Sequence, residues 1–296
     1  KWEEIDGQRK KFLIKSAAVF AGMLNAMDFH IGRLVSYLKE NDLYENTIFI
    51  ITADNGPEGN NPEEHQAWRS WIGTTSYTRN IDTLGEQNSY VFIGTEFAQA
   101  MASPHHMFKF HMNEGGLKVP LIMSGNGITK GVYSEFTYLT DIAATISKII
   151  TGEVPERMIG KSLEQVLRGS LEKVYEENEY IGLEVAGNSA LFKGDYKILK
   201  NGPPTGDNIW HLYNLADDPG ETNDLAKQKP DIFQQLLKHY DEYVADNGVI
   251  DLGPDYYWAT EMTVNTAKRR FAEFIPSLIF IILVIGLIVI IYIRRR

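Results

Sequence analysis

From Phe274 to Ile293 the chain reads FIPSLIFIILVIGLIVIIYI, without one charged residue. A helix that crosses a bilayer core needs about 20 such residues, because lipid offers no partner to a backbone N–H or C=O. A soluble core helix of this length would keep a polar face, and this run has none. Pro276 falls in its first turn, where a missing N–H is tolerated, and Tyr292 sits where interfacial aromatics collect. Residues 274–293 are therefore expected to form one transmembrane helix in contact with membrane lipid. Basic triplets flank it on both sides, Lys268-Arg269-Arg270 and Arg294-Arg295-Arg296, so charge alone assigns no orientation.

The other 276 residues are not of this kind. The 296-residue chain has a net charge of −10, and after Asn265 the only acid is Glu273, so the acidic excess lies in the preceding part. Phosphate neutralisation wants the opposite balance, which argues against a nucleic-acid partner. Cysteine is absent, so disulfides, thiolate metal sites and cysteine nucleophiles are excluded within the chain. The opening KWEEIDGQRKKF has no apolar run of the kind a signal peptide needs. The expectation is either a cytosolic main domain or the C-terminal piece of a longer protein.

Between Ser16 and Lys39, apolar residues at Phe20, Met23, Met27, Ile31, Leu34 and Leu38 keep the three-and-four spacing of one helical face, expected to lie on a sheet. Thr47 to Thr52 is short, β-branched and aromatic, as a fully buried strand would be. Helix followed by apolar strand is half of an α/β unit. The strand runs into Ala53-Asp54-Asn55-Gly56-Pro57, at the carboxyl edge where open α/β sheets bind ligands. Glu58 to Met112 has little periodicity and reads as a long surface excursion. Val119 to Ser124 is a second strand, which Pro120 pushes toward a sheet edge. Thr137 to Thr151 is a helix capped by Thr140 or Asp141. Tyr180 to Leu183, Ala190 to Lys193, Tyr196 to Lys200 and Ile209 to Tyr213 read as short antiparallel strands, followed by a helix from Pro230 to Ala245. The organisation expected is an α/β domain over 1–155, a small antiparallel lobe over 156–255, a juxtamembrane linker over 256–273, the transmembrane helix and a basic tail over 294–296.

Two places carry chemistry. Asp54 and Asn55 put a carboxylate and an amide carbonyl side by side, suited to a hard cation such as calcium or magnesium. On spacing alone an Asp-Asn-Gly turn is the stronger reading, and two ligands fall short of the roughly six to eight oxygens that calcium takes. In Lys109-Phe110-His111-Met112-Asn113-Glu114-Gly115-Gly116, the glycines would let the backbone approach something closely, and Lys109 could face an anion. On spacing alone a solvated loop lysine is the stronger reading. Leu215 to Leu225 is an acidic turn best read as solvated.

Taken in order, these pieces resemble the C-terminal half of a bacterial arylsulfatase, a type I sulfatase of the alkaline phosphatase superfamily. The resemblance runs through Met27-Asp28-Phe29-His30-Ile31-Gly32-Arg33-Leu34, Thr52-Ala53-Asp54-Asn55-Gly56, Lys109 with Glu114-Gly115-Gly116, and Leu139-Thr140-Asp141-Ile142-Ala143. It ends in Gly194-Asp195-Tyr196-Lys197, Trp210-His211-Leu212-Tyr213 and Asp218-Pro219-Gly220-Glu221-Thr222. It implies part of an alkaline-phosphatase-like mixed sheet flanked by helices, with Asp54 and Asn55 as ligands of calcium or another divalent ion. It also implies that Asp54 takes the proton of the nucleophile's hydroxyl and that Lys109 grips the sulfate ester substrate. The family's nucleophile is a formylglycine made from a Cys/Ser-x-Pro-x-Arg motif, and no such motif occurs here. The formylglycine and two further metal aspartates would belong to an N-terminal sulfatase portion or subunit. With such a partner the main domain would be periplasmic or extracellular and the C-terminus cytoplasmic. Two alternatives are an inactive membrane-anchored interaction subunit and a phosphate or phosphonate ester hydrolase of the same superfamily.

Overall fold

A computed structural model describes residues 2–61, 77–78, 80–253 and 256–294. The chain opens on α1 (Gly7–Glu40), whose first turn is capped by the Asp6 carboxylate accepting from the Gln8 and Arg9 amides. Helix α1 leads into β1 (Ile48–Thr52), and α2 (Gly94–Ala102), the short α3 (Glu114–Leu117) and β2 (Leu121–Gly125) follow. Strands β1 and β2 pair antiparallel, Ile48 opposite Gly125 and Thr52 opposite Leu121. Next come α4 (Thr140–Thr151) and the single turn α5 (Glu164–Leu167).

This half is less covered than its sequence leads one to expect. Strand β1 ends in two exposed residues and Ile122 on β2 is 57% exposed, so the sheet is not the fully buried one its apolar run suggests. Among the described residues it has two strands. Helix α1 is seated at its ends: Leu13 and Ser16 are buried, while Ile31, Val35 and Leu38 are half-buried. Every residue from Ala21 to His30 is exposed, including Met23, Met27 and Phe29. The apolar stripe expected to lie on a sheet thus runs bare through its middle.

Strands β3 (Ile181–Val185), β4 (Asn188–Lys193), β5 (Tyr196–Lys200) and β6 (His211–Asn214) form an antiparallel meander in sequence order. Ala186 and Gly187, both at positive φ, make the two-residue turn between β3 and β4 that the strands' twist favours. The alternation of the strands then sorts the side chains. Leu191, Ile198 and Leu212 pack with Leu236 of α6 (Pro230–Asn247), and Ala190, Phe192 and Leu199 pack with Met112 from the preceding half. Both faces of this sheet are buried, one by its own helix and one by the loop that carries Lys109.

The chain ends in α7 (Trp258–Arg294), which contains the apolar run as continuous helix through Pro276. Among the described residues the helix that qualifies for membrane crossing by length and composition is nevertheless α1, near the N-terminus, at a mean hydropathy of 1.3. This differs from the expectation of a single C-terminal candidate. Helix α1 meets the criterion because Ala17 to Gly32 is nearly free of charge, apart from Asp28.

Candidate functional site

The turn after β1 and the loop before β2 are built against each other. Gly56 N–H donates to the Gly116 carbonyl at 2.9 Å, Lys109 N–H to the Pro57 carbonyl at 3.0 Å, and Gly115 N–H to the His106 carbonyl at 2.9 Å. A Cβ at Gly56 would run into the Gly115 carbonyl, one at Gly115 into Met107 and one at Gly116 into His111. The close approach expected of Glu-Gly-Gly is therefore made to the Asp54–Pro57 turn and to the Lys109 loop, with all three glycines needed for it. Strand β1 places Asp54 at its exposed carboxyl end, and neither the Asp54 carboxylate nor the Asn55 amide has a partner among the described residues. Lys109 lies one backbone hydrogen bond from the same turn, its Nζ paired with Glu58 at 3.1 Å and 5.3 Å from the centre of the Phe110 ring.

The stretch read as an irregular surface excursion is more ordered than that. It contains α2, with Ala98 and Ala102 buried, and Gln99 of this helix holds the approach to Lys109 from both sides of its amide. Gln99 Nε2 donates to the His105 carbonyl and its Oε1 accepts from Met107 N–H, at 2.9 and 2.8 Å. Met107 and Phe110 take positive φ, a conformation that these contacts maintain against its cost. Arg9 reaches across from α1 to form a two-bond pair with Glu96. Burial alone would raise the Glu96 pKa, but the Arg9 guanidinium outweighs it and holds the carboxyl below its ordinary value. Residues 62–76 of the excursion lie outside the described residues.

From the other side the loop is held by the C-terminal sheet. Asn188 Nδ2 donates to the Phe110 carbonyl at 2.7 Å, and Met112 N–H donates to Asn201 Oδ1 at 2.9 Å, while Asn201 Nδ2 donates to Asn113 Oδ1. His111 is buried and burial lowers its pKa, so the ring is neutral: Nδ1–H donates to the Phe108 carbonyl and Nε2 accepts from the Thr205 hydroxyl at 2.9 Å. It is a packing residue of this loop.

The strongest connection was not visible from spacing. Lys197, completely buried on β5, places Nζ 2.9 Å from Glu114 Oε1 and 2.8 Å from Glu221 Oε1, and Glu221 Oε2 accepts from Glu114 N–H. Three of the motif segments, Glu-Gly-Gly, Gly-Asp-Tyr-Lys and Asp-Pro-Gly-Glu, thereby meet in one ion triad. The acidic turn expected to be solvated sends its Glu221 into the interior. Asp141 is likewise no helix cap; the residue before α4 is Leu139, without a side-chain cap bond. Buried Asp141 instead accepts from Tyr138 N–H, Lys161 N–H and the Tyr175 hydroxyl, tying α4 to two later segments. Beside Lys109 the structure leaves a cavity of about 140 Å³, lined by the loop, by the turns around Gly187 and Pro203, and by Tyr256–Trp258. Among the described residues no three His, Asp or Glu side chains converge as a metal cluster.

A mixed α/β half with a loop-bearing carboxyl edge, clamped to a four-stranded antiparallel lobe, defines a two-part α/β architecture. The sulfatase family model matches residues 2–152, and the family model described as N-sulphoglucosamine sulphohydrolase, C-terminal, matches 104–246. The chain belongs to the sulfatase family. It is 30% identical over 272 residues to an uncharacterised sulfatase of Schizosaccharomyces pombe, covering 86% of this chain and 48% of that one. It is 26% identical over 223 residues to an N-acetylgalactosamine-6-O-sulfatase of Bacteroides thetaiotaomicron, covering 71% and 39%. With an arylsulfatase of Klebsiella aerogenes it shares 26% over 167 residues, 54% and 34% of the two chains. The crystal structure of Ps i-CgsB has the same fold, with a TM-score of 0.56 at 20% identity over 83% of this chain and 46% of that one. The chain thus spans about half the length of the curated relatives it matches or less. These relatives come from fungi as well as bacteria, so the bacterial label in the expected resemblance does not carry over.

Proposed function

We propose that this chain supplies one half of a sulfuric ester hydrolase site, with Asp54 and Asn55 as ligands of a divalent cation such as calcium and Lys109 as the cation that grips the sulfate. The nucleophile, a formylglycine, is contributed by an N-terminal sulfatase portion or subunit. The observation that carries the reading is the Asp54-Asn55 pair at the carboxyl end of β1, without a side-chain partner among the described residues, with the Lys109 loop bonded against the turn that follows it. A carboxylate and an amide carbonyl are the hard oxygen donors calcium takes, and as two of about six to eight they fit it as an incomplete shell. When bound, the ion supplies positive charge to the ester's sulfuryl oxygens. The Asp54 carboxylate accepts the proton of the nucleophile's hydroxyl, and the Lys109 ammonium meets negative charge growing on the sulfuryl and leaving oxygens, as a preorganised donor does.

The bare span of α1 from Ala21 to His30 and the open β1–β2 sheet support a second portion that packs here, since an apolar helix face of this kind is ordinarily covered. Residues 274–293 of α7 anchor the assembly as a single-pass helix, with the main domain outside the cytoplasm and Arg294 to Arg296 inside. The charge-free run and the exposure of Leu278, Phe280, Ile282 and Leu283 support that reading. The test is a comparison of the assembled pair on an aryl sulfate and an aryl phosphate. Lys109→Ala is expected to lower sulfate turnover by about a hundredfold or more, the usual effect of deleting one preorganised charge-stabilising donor. An unchanged rate would sink the role of Lys109, and faster turnover of the phosphate would move the chain to the phosphate ester hydrolases.

A further inference from the structure

We infer that the aromatic segment leading into α7, and Trp258 above all, is a specificity-determining wall that receives the ring of the ester's alcohol; this rests on the reading of Lys109 as the sulfate-gripping residue. The cavity beside Lys109 is bounded by two parts of the chain that are far apart in sequence. The Trp258 ring stacks on Phe110 at 4.7 Å between centres and 19° between planes, and Phe110 is the neighbour of Lys109 whose ring lies beneath its ammonium. Phe110 cannot drift from this position, because its carbonyl is held by Asn188 and its φ is 76°. Tyr256 lies against Gly187 so closely that a Cβ there would sit 2.8 Å from the tyrosine ring. Glycine at that turn thus makes room for the wall.

The chemistry of the lining states the ligand class. One side is aromatic, from Trp258, Tyr256 and Tyr257, while the amides of Asn60 and Asn208 face the same cavity with no side-chain hydrogen bond to another described residue. Aromatic faces with polar groups set around them suit a saturated ring whose C–H face packs on the aromatic surface and whose hydroxyls reach the amides. A flat aryl group would use the first and leave the second unpaired. At about 140 Å³ the space takes one ring rather than a chain of them. Both family matches stop by residue 246, so this wall is a feature of the present chain beyond its family-matched part.

The experiment titrates the full chain, in detergent, with N-acetylglucosamine 6-sulfate and with inorganic sulfate, by calorimetry. Trp258→Ala is expected to weaken the sugar sulfate about tenfold, the size of one well-made ring contact, and to leave inorganic sulfate unchanged. Trp258→Phe, which keeps a ring, should stay within about threefold of the parent. Equal affinity of parent and Trp258→Ala for the sugar sulfate would overturn the inference, as would an equal loss for both probes, which marks a merely structural role. Failure of the parent chain to bind the sugar sulfate overturns it too. Lys109→Ala separates the underlying reading: if it leaves both affinities intact while Trp258→Ala selectively weakens the sugar sulfate, the lysine's role fails and the aromatic wall stands.

Discussion

Replacing Lys197 by Met should damage this protein more than any change at its surface lysines. The ammonium is wholly buried between two carboxylates, Glu114 at 2.9 Å and Glu221 at 2.8 Å, and the side chains of these acids are 8% and 0% exposed. Removing the cation leaves two acids facing each other without water or counter-charge. Breaking a buried pair from one side costs about 3–5 kcal/mol, against a total stability of about 5–15. With a urea dependence of about 3 kcal/mol per molar, the midpoint of unfolding should fall by about 1 to 1.7 M. Equilibrium urea unfolding of the chain, followed by tryptophan fluorescence and far-ultraviolet dichroism, measures this directly. The control is the triple change Lys197→Met, Glu114→Gln, Glu221→Gln, which removes all three charges and keeps the acceptor for Glu114 N–H. Neutral replacement of a whole buried triad is often harmless, so the triple variant should recover most of the lost midpoint. If the single variant moves the midpoint by less than about 0.3 M, or the triple is worse than the single, the triad does not clamp the lobe in the way described.

His211 gives the C-terminal sheet a pH dependence of defined sign. Burial would lower its pKa, but the hydrogen-bonded carboxylates of Asp224 and Asp207, at 2.9 and 3.1 Å, outweigh this and raise it. The contribution is therefore complete below the unfolded value of about 6.5 and is lost as pH rises through the higher folded one. The groups are partly exposed, so the loss should be under about 1 kcal/mol; His211→Asn should flatten the fall in unfolding midpoint between neutral and alkaline pH, and an unaltered slope would refute the assignment. For the anchor, alkaline carbonate washing of membranes should leave the full chain in the pellet and release a chain lacking residues 274–293. Release of both would remove the transmembrane reading.

Much of the architecture could be read from periodicity because each element there is specified locally. The short apolar runs in Ala190 to Lys193 and Tyr196 to Lys200, the turn glycines, and Pro230 at a helix start each act within a few residues, and strands and helix stand where those signals put them. What could not be read is what depends on separation. Glu114 and Lys197 lie 83 residues apart, and lysine and glutamate in a sequence look like surface whether or not they meet inside. Asp141 misled for a related reason: an acid at a helix start ordinarily caps it, yet three donors from around this one draw its carboxylate into the core. The middle of α1 departed in the other direction: its stripe announced burial, yet among the described residues nothing covers Ala21 to His30.

These two kinds of outcome bear on where Lys109 gets its position. A lysine on a loop is a weak instrument for gripping an anion, since its ammonium is a point charge on a stem with several rotors. The fold answers this by fixing the backbone around it from two independent directions. Gly56 and Pro57 hold it from the β1 turn that carries Asp54 and Asn55, and Asn188, Asn201, Thr205 and Lys197 hold the residues after it from the C-terminal sheet. Geometry of that kind survives only when the supporting groups are themselves locked, and here most of them are buried and each is hydrogen-bonded. The four-stranded lobe, which contributes none of the proposed catalytic groups, is thus the surface against which the lysine loop is set, and its motif residues are needed for position rather than for chemistry.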